Sequence, residues 1–185
     1  LIIKAVKQKT DFILTPEVSS LFSLNKKQLL KICKSMNKDT YLKGVRHLAK
    51  EHKKWILIGS LIIKNSKNKL VNRSVLIDSK GKIKSYYDKI HMYDVVLNKK
   101  EKYSESKVFS AGKKIKLAKL PWGKLGLSIC YDLRFPNLYR TQSKYGSLFL
   151  SIPSAFTETT GKKHWHALLK ARAIENFCYI FAPAQ

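Results

Sequence analysis

Short, continuous runs of apolar residues alternate along the chain with stretches in which apolar residues recur every three or four positions. The short runs predict strands, and the recurring positions predict amphipathic helices that bury one face. The predicted strands cover residues 11–14, 55–63, 70–78, 83–87, 115–120, 124–129, 147–152 and 177–182, and the predicted helices cover residues 39–54, 135–145 and 163–176. Residues 1–7 have the pattern of the second half of a further helix.

Turn residues separate two pairs of neighbouring predicted strands. The segment Asp78-Ser79-Lys80-Gly81 joins the first pair and Pro121-Trp122-Gly123 joins the second, which predicts two β-hairpins. With 185 residues, 44% of them hydrophobic, the chain is long enough for one domain over residues 1–185 with a sizeable core. The order of elements predicts a mixed α/β domain in which helices cover the sheets.

The cysteines and the apolar runs indicate the compartment. Cys33, Cys130 and Cys178 are odd in number and scattered, which argues against a disulfide framework and favours a reducing, cytoplasmic setting. No apolar run approaches the roughly 20 residues that span a bilayer, and no secretion signal is recognisable, so no membrane association is expected. Because the chain begins with Leu1 and not with methionine, we expect a segment to precede it.

The formal net charge of +25 raises the question of a polyanionic partner. The lysines, however, occupy polar positions of almost every element and do not gather into one stripe or tail. No zinc-ligand spacing or set of stacking aromatic residues accompanies them. A lysine-biased composition explains the charge, and no specific nucleic-acid partner is predicted. Weak polyanion binding by a non-catalytic protein stays as the alternative from another class.

Three chemically capable side chains follow predicted strands. Cys130 ends the apolar run of residues 126–130, Glu17 follows the strand at residues 11–14, and Lys89 follows the strand at residues 83–87. A thiol nucleophile needs a base and gains from a nearby cation, so a carboxylate and an ammonium group would complete a catalytic set. Taken singly, the three could be a small buried hydrophobe, a turn carboxylate and a solvated lysine.

Histidine offers two rival interpretations. His91, His164 or His166 could act as the base of a Cys–His hydrolase, although none lies in a sequence context typical of such enzymes. His164 and His166 could also be a metal pair, but residues two apart on a helix face different directions, so no metal site is predicted.

The segments around the three candidate residues resemble those of a known family. The resemblance is carried by Thr15-Pro16-Glu17, by Tyr87-Asp88-Lys89-Ile90-His91-Met92-Tyr93-Asp94, and by Ser128-Ile129-Cys130-Tyr131-Asp132-Leu133-Arg134-Phe135-Pro136. Further similar words are Glu105-Ser106-Lys107-Val108-Phe109-Ser110-Ala111-Gly112 and the stretch from Pro153 to Asn176. In this order they resemble the nitrilase superfamily of carbon–nitrogen hydrolases over essentially the whole chain.

This resemblance implies a fold and an assembly. The fold would be an α-β-β-α sandwich, and members of the superfamily are longer at both ends, so the chain is expected to be an internal fragment that lacks a first strand and the C-terminal strands. Expressed alone, such a piece would leave open sheet edges and is expected to aggregate or to be weakly active. A homodimer or a higher homo-oligomer is implied, and no metal or organic cofactor is required.

The resemblance also assigns roles residue by residue. Cys130 would be the nucleophile, Glu17 the general base and then acid, and Lys89 the cation beside the oxyanion. The backbone N–H of Tyr131 would be a second oxyanion donor, and Glu105 would help to hold the lysine and the substrate.

The residues after the cysteine resemble amidase-type branches more than nitrile-hydrolysing ones. The resemblance is greatest to the branch that hydrolyses deaminated glutathione, and the neighbouring ω-amidase branch, which acts on α-ketoglutaramate and α-ketosuccinamate, is the alternative. Both imply a small-molecule amide substrate that bears a carboxylate. Arg134 could bind that carboxylate or form a structural ion pair with Asp132 or Glu175. Phe156 and Thr160 are implied as further substrate-binding residues.

Overall fold

The computed structural model describes residues 2–23, 25–99 and 101–185. These residues form ten strands, five α-helices and two short 3-10 helices. The strands are β1 (Phe12–Leu14), β2 (Trp55–Lys64), β3 (Leu70–Ile77), β4 (Ile83–Asp88), β5 (Asp94–Val96), β6 (Lys102–Ser104), β7 (Leu117–Leu120), β8 (Gly123–Leu127), β9 (Ser147–Ser151) and β10 (Tyr179–Phe181). The α-helices are α1 (Ile2–Lys7), α2 (Lys26–Ile32), α3 (Thr40–Glu51), α4 (Pro136–Lys144) and α5 (Glu158–Asn176), and the 3-10 helices are Glu105–Lys107 and Cys130–Arg134.

The strands form two four-stranded sheets and one small hairpin. The first sheet has the order β1-β2-β3-β4, in which β1 runs parallel to β2 and the other neighbours are antiparallel. The second sheet has the order β10-β9-β8-β7, in which only β7 and β8 are antiparallel. Strands β5 and β6 form the hairpin, and both predicted hairpins, β3–β4 and β7–β8, are present.

The two sheets pack face to face, and helices cover both outer faces. Between the sheets lies an apolar layer that includes Leu57 and Leu76 from the first sheet and Leu125 and Leu127 from the second. Residues of α1 and α3 pack on the outer face of the first sheet, and residues of α4 and α5 pack on that of the second. The predicted α-β-β-α sandwich is confirmed.

The periodic pattern predicted long elements better than short ones. Helix α2, which buries only Leu29, and the three-residue strands β5 and β6 carry too little apolar pattern to be predicted. Helix α5 begins five residues before its predicted start, because Gly161 and the threonines of its first turn hide the helical pattern. In the described parts of the chain, no helix combines the length and apolarity needed to cross a bilayer.

Two predicted strands end or begin elsewhere. The strand predicted over residues 124–129 ends at Leu127, so Cys130 is not a strand residue but begins a 3-10 helix. The strand predicted from residue 177 begins at Tyr179, because Phe177 is the left-handed C-cap of α5 and its ring is exposed.

Candidate active site

A cavity of about 440 Å³ opens where the chain leaves several strands of both sheets. It is lined by side chains that follow β1, β4, β8 and β9, together with one from within β3 and several from the β5–β6 hairpin region. The lining residues include the predicted site residues Glu17, Lys89, Glu105, Cys130, Tyr131, Phe156 and Thr160, together with Asn72. The structure therefore brings the three residues that follow predicted strands into one site.

The loop that carries Glu17 is fastened to strand β2. The N–H of Gly59 donates to Thr15 Oγ1 at 3.0 Å, and the N–H of Val18 donates to Ser60 Oγ at 2.8 Å. Val18 adopts a φ of 47°, which is costly for a β-branched residue and persists only where the surroundings impose it. Glu17 is thereby held at the cavity, with 5% of its surface exposed.

The backbone of this loop passes directly over Gly59, so any side chain at position 59 should disturb the loop. A Cβ at this position would overlap the carbonyl oxygens of Thr15 and Pro16, the two residues that immediately precede Glu17. We expect Gly59→Ala to lower the free energy of unfolding by about 3 kcal/mol and to displace Glu17. The matched control is Gly44→Ala in α3, where a Cβ meets nothing within 4 Å and is expected to stabilise the helix by about 0.5–1 kcal/mol. Urea unfolding of both variants tests this, and equal stabilities would contradict it.

Lys89 lies between two carboxylates and is 2% exposed. Its Nζ is 3.0 Å from Glu17 Oε1 and 2.9 Å from Glu105 Oε2. Burial by itself lowers the pKa of Lys89, but the charges of Glu17 and Glu105 outweigh it and raise that pKa above its ordinary value. The ammonium group therefore stays charged throughout the physiological range.

Cys130 is the first residue of the 3-10 helix after β8 and has a φ of 48°. A non-glycine residue in this left-handed region costs about 1–2 kcal/mol, and the turn is held by a hydrogen bond from its N–H to Pro153 O at 2.9 Å. Burial and then the neighbouring Glu17 raise the pKa of the thiol, while Lys89 opposes the rise. In the resting site, Cys130 is therefore a neutral thiol that needs a base to become a nucleophile.

Asp132 ties the cysteine turn to the lysine segment. This fully buried carboxylate accepts hydrogen bonds from Tyr87 Oη at 2.8 Å and from the His91 N–H at 3.0 Å, on the two sides of Lys89. Its other contacts are with His91 Nδ1 at 2.6 Å and with the N–H of Ile129 at 2.9 Å. Sequence reasoning treated Asp132 only as an ion-pair partner for Arg134 and missed this network.

Comparison with known protein families identifies the family of this chain. The family model described as "Carbon-nitrogen hydrolase" matches residues 1–185. The chain belongs to the carbon–nitrogen hydrolase family.

Relatives of this carbon–nitrogen hydrolase chain extend beyond it. The deaminated glutathione amidase of Yersinia enterocolitica is 39% identical over 186 residues, which are 99% of this chain and 65% of the relative. The crystal structure of the Caenorhabditis elegans NitFhit protein superposes with a TM-score of 0.90 at 39% identity, over 100% of this chain and 45% of that protein. Nit3 of Saccharomyces cerevisiae, described as a member of branch 10 of the nitrilase superfamily, superposes with a TM-score of 0.86 at 28% identity, over 99% and 66%. The chain thus spans about two thirds or less of these proteins.

Two of the three predicted substrate-binding residues line the cavity of this carbon–nitrogen hydrolase chain. Phe156 and Thr160 line it, whereas Arg134 is not among the described lining residues. The guanidinium group of Arg134 lies 5.8 Å from the ring centroids of both Tyr131 and Phe156, and its Nη2 is 3.1 Å from His164 Nδ1. The arginine therefore packs behind two aromatic side chains of the cavity wall.

The alternative ion pairs predicted for Arg134 are wrong. Asp132 is occupied by Tyr87 and His91, and Glu175 instead accepts from Arg172 Nη1 at 2.9 Å. Sequence spacing indicated carboxylates within reach of Arg134, but each carboxylate has another partner that the fold places closer.

The histidines of this carbon–nitrogen hydrolase chain are engaged away from the thiol. His91 stacks on Phe135 with 3.6 Å between ring centroids and contacts Asp132, and His164 contacts Arg134. His166 lines a neighbouring, open depression beside α5 that shares Phe156, Thr157 and Gln185 with the cavity. Since none of them is among the described residues that line the cavity, the geometry gives no support to a Cys–His mechanism.

The polar partners of Glu17 complete the site. Its Oε2 accepts the N–H of Ala155 at 2.8 Å, and its Oε1 accepts Asn72 Nδ2 at 2.9 Å. Sequence reasoning missed Asn72, although a signal was present: β3 is buried at all eight positions and yet contains Asn72, Arg73 and Ser74. Polar residues within a fully buried strand need partners, and those partners mark a site.

Proposed function

We propose that this protein is an amidase that hydrolyses the terminal carboxamide of a small, carboxylate-bearing α-keto acid, such as deaminated glutathione. The single observation that carries the proposal is one cavity containing a buried carboxylate, ammonium group and thiol, namely Glu17, Lys89 and Cys130. Similarity to the Yersinia enterocolitica deaminated glutathione amidase supports the choice of substrate.

In the first half of the reaction, Glu17 accepts the proton of the Cys130 thiol. The sulfur attacks the amide carbon, and the oxygen that becomes negative is held by Lys89 Nζ and the backbone N–H of Tyr131. That N–H lies in the first turn of a 3-10 helix, where amide groups have no partner within the helix. Each such donor is typically worth a few kcal/mol in the transition state. The C–N bond then breaks, Glu17 returns its proton to the leaving nitrogen, and ammonia departs from a thioester.

In the second half, a water molecule takes the place of the ammonia. Glu17 accepts one of its protons, the oxygen attacks the thioester carbon, and Lys89 with the Tyr131 N–H again holds the negative oxygen. The C–S bond breaks, the proton on Glu17 returns to the sulfur, and the carboxylic acid leaves. Glu105 also binds Lys89 Nζ, so the lysine keeps its place while Glu17 changes protonation state.

Ammonia release from two amides tests the proposal. Full-length protein is supplied with deaminated glutathione and, separately, with α-ketoglutaramate, and a Cys130→Ala variant is the control. We expect ammonia from the parent only, with the higher kcat/KM for deaminated glutathione. Equal rates for parent and control would refute the amidase, and a higher kcat/KM for α-ketoglutaramate would assign the protein to the ω-amidases instead.

A further inference from the structure

We infer that Asn72 is a positioning residue of this site, which orients the carboxylate of Glu17 towards the Cys130 thiol. The inference rests on the proposed function for the role of Glu17 as base. Nothing in the motif around Glu17, Lys89 or Cys130 points to Asn72, because it lies in the middle of a different strand.

Asn72 contacts all the charged groups around the lysine. It is 2% exposed, and its Nδ2 lies 2.9 Å from Glu17 Oε1 and 3.4 Å from Glu105 Oε1. Its backbone carbonyl accepts the N–H of Lys89 at 2.9 Å. One residue thus holds the backbone of the lysine and both of the carboxylates that flank its ammonium group.

The hydrogen bonds of Glu17 fix the orientation of its carboxylate. An ionised carboxylate has about four lone-pair sites. Lys89 Nζ and Asn72 Nδ2 occupy those of Oε1, and the N–H of Ala155 occupies one of Oε2. The site that is left belongs to Oε2, and it is available for the thiol proton. Without Asn72 the carboxylate could rotate about its last bond and lose this direction.

An amide suits this place because its charge does not change with pH. The titratable groups around Glu17 are Lys89, Glu105 and Cys130, and the phenols of Tyr93, Tyr103 and Tyr131 line the same cavity. The opposite orientation of the amide would set its oxygen against two carboxylates, so Nδ2 must be the group that faces them. Its Oδ1 is buried without a hydrogen-bond partner among the described residues. Such an unpaired acceptor lowers stability, so the contribution of Asn72 comes from its Nδ2 and its backbone carbonyl.

The variant Asn72→Leu removes the donor and keeps the number and branching of the side-chain heavy atoms. We expect kcat to fall about 10- to 100-fold with little change in KM, because one hydrogen bond to a charged group is lost. The acid limb of the pH–rate profile should move to higher pH, because the variant lacks a hydrogen-bond donor that stabilises the ionised carboxylate. The matched control is Asn176→Leu in α5, a buried asparagine that also has an unpaired Oδ1 but lies outside the cavity. Asn176→Leu should lower Tm without moving the acid limb of the pH–rate profile.

Alkylation of Cys130 by iodoacetamide provides a test that needs no turnover. Its rate is followed by peptide mass mapping against pH, and the acidic inflection should show the same upward shift in Asn72→Leu. If the parent hydrolyses neither amide, the proposed function fails while this measurement still decides the role of Asn72. An unchanged inflection together with an unchanged kcat would overturn the inference. Asn72→Ala, which leaves space instead of filling it, carries the same expectation if the leucine variant does not fold.

Discussion

Replacing Glu17 with glutamine is expected to lower kcat for ammonia release about 10³- to 10⁴-fold in the protein that remains folded. Glutamine has the same shape, and its Oε1 can still accept a hydrogen bond from Lys89 or from the Ala155 N–H. It cannot accept the proton of the Cys130 thiol. Because burial raises the pKa of that thiol, very little thiolate would form at neutral pH without the base.

The measurement is steady-state ammonia release combined with intact mass of the protein during turnover. We expect slow acylation and also slow hydrolysis of any thioester, because Glu17 serves as the base in both halves. Glu51→Gln, at the exposed end of α3, is the matched control and should keep the parent rate. A Glu17→Gln variant that retains a tenth of the parent kcat would exclude Glu17 as the base.

Replacing Lys89 with methionine is expected to have the largest effect on stability. Methionine is similar in length, but it leaves Glu17 and Glu105 buried without the ammonium group that lies 3.0 and 2.9 Å from them. Removal of one partner from a buried ion pair typically costs about 3–5 kcal/mol. The loss of an oxyanion donor should also lower kcat by about 10²- to 10³-fold in whatever fraction remains folded.

The pH dependence of the free energy of unfolding distinguishes unpaired buried carboxylates from a packing defect. In the parent, the pKa of Lys89 is raised on folding, so its contribution is complete below the ordinary lysine pKa and is lost only as the pH rises through the higher folded value. In Lys89→Met, the two carboxylates bind a proton more tightly in the folded than in the unfolded chain. The deficit should therefore be smallest near pH 5 and grow towards pH 8.

Urea unfolding at several pH values measures how the free energy of unfolding depends on pH in the parent and in Lys89→Met. Lys43→Met, on the exposed face of α3, is the control and should follow the parent at every pH. A deficit in Lys89→Met that is the same at pH 5 and pH 8 would mean that lost packing, and not unpaired charge, destabilises the variant.

Local sequence was sufficient where an element carries a long pattern. Strand β2 is recognisable because eight consecutive residues between Trp55 and Lys64 are buried, and α3 because Leu42, Val45 and Ala49 recur at helical spacing behind an Asp39 cap. The sequence predicts a strand up to residue 129 with Cys130 directly after it, whereas the strand ends at Leu127 and Cys130 begins a 3-10 helix. A run of apolar letters does not reveal where the backbone changes to a φ of 48°.

Contacts between distant residues could not be read in this way. The sequence by itself determined the α/β order of the elements, the family, and the chemical types of a thiol, a carboxylate and an amine, because these depend on residue identity and short-range spacing. Only the tertiary structure decided that Lys89 is buried between carboxylates 72 and 16 residues away, that Asn72 bridges them, and that Arg134 faces His164. The physical reason is that hydrogen bonds and ion pairs depend on distances of a few ångströms, which only the packing of the two sheets sets.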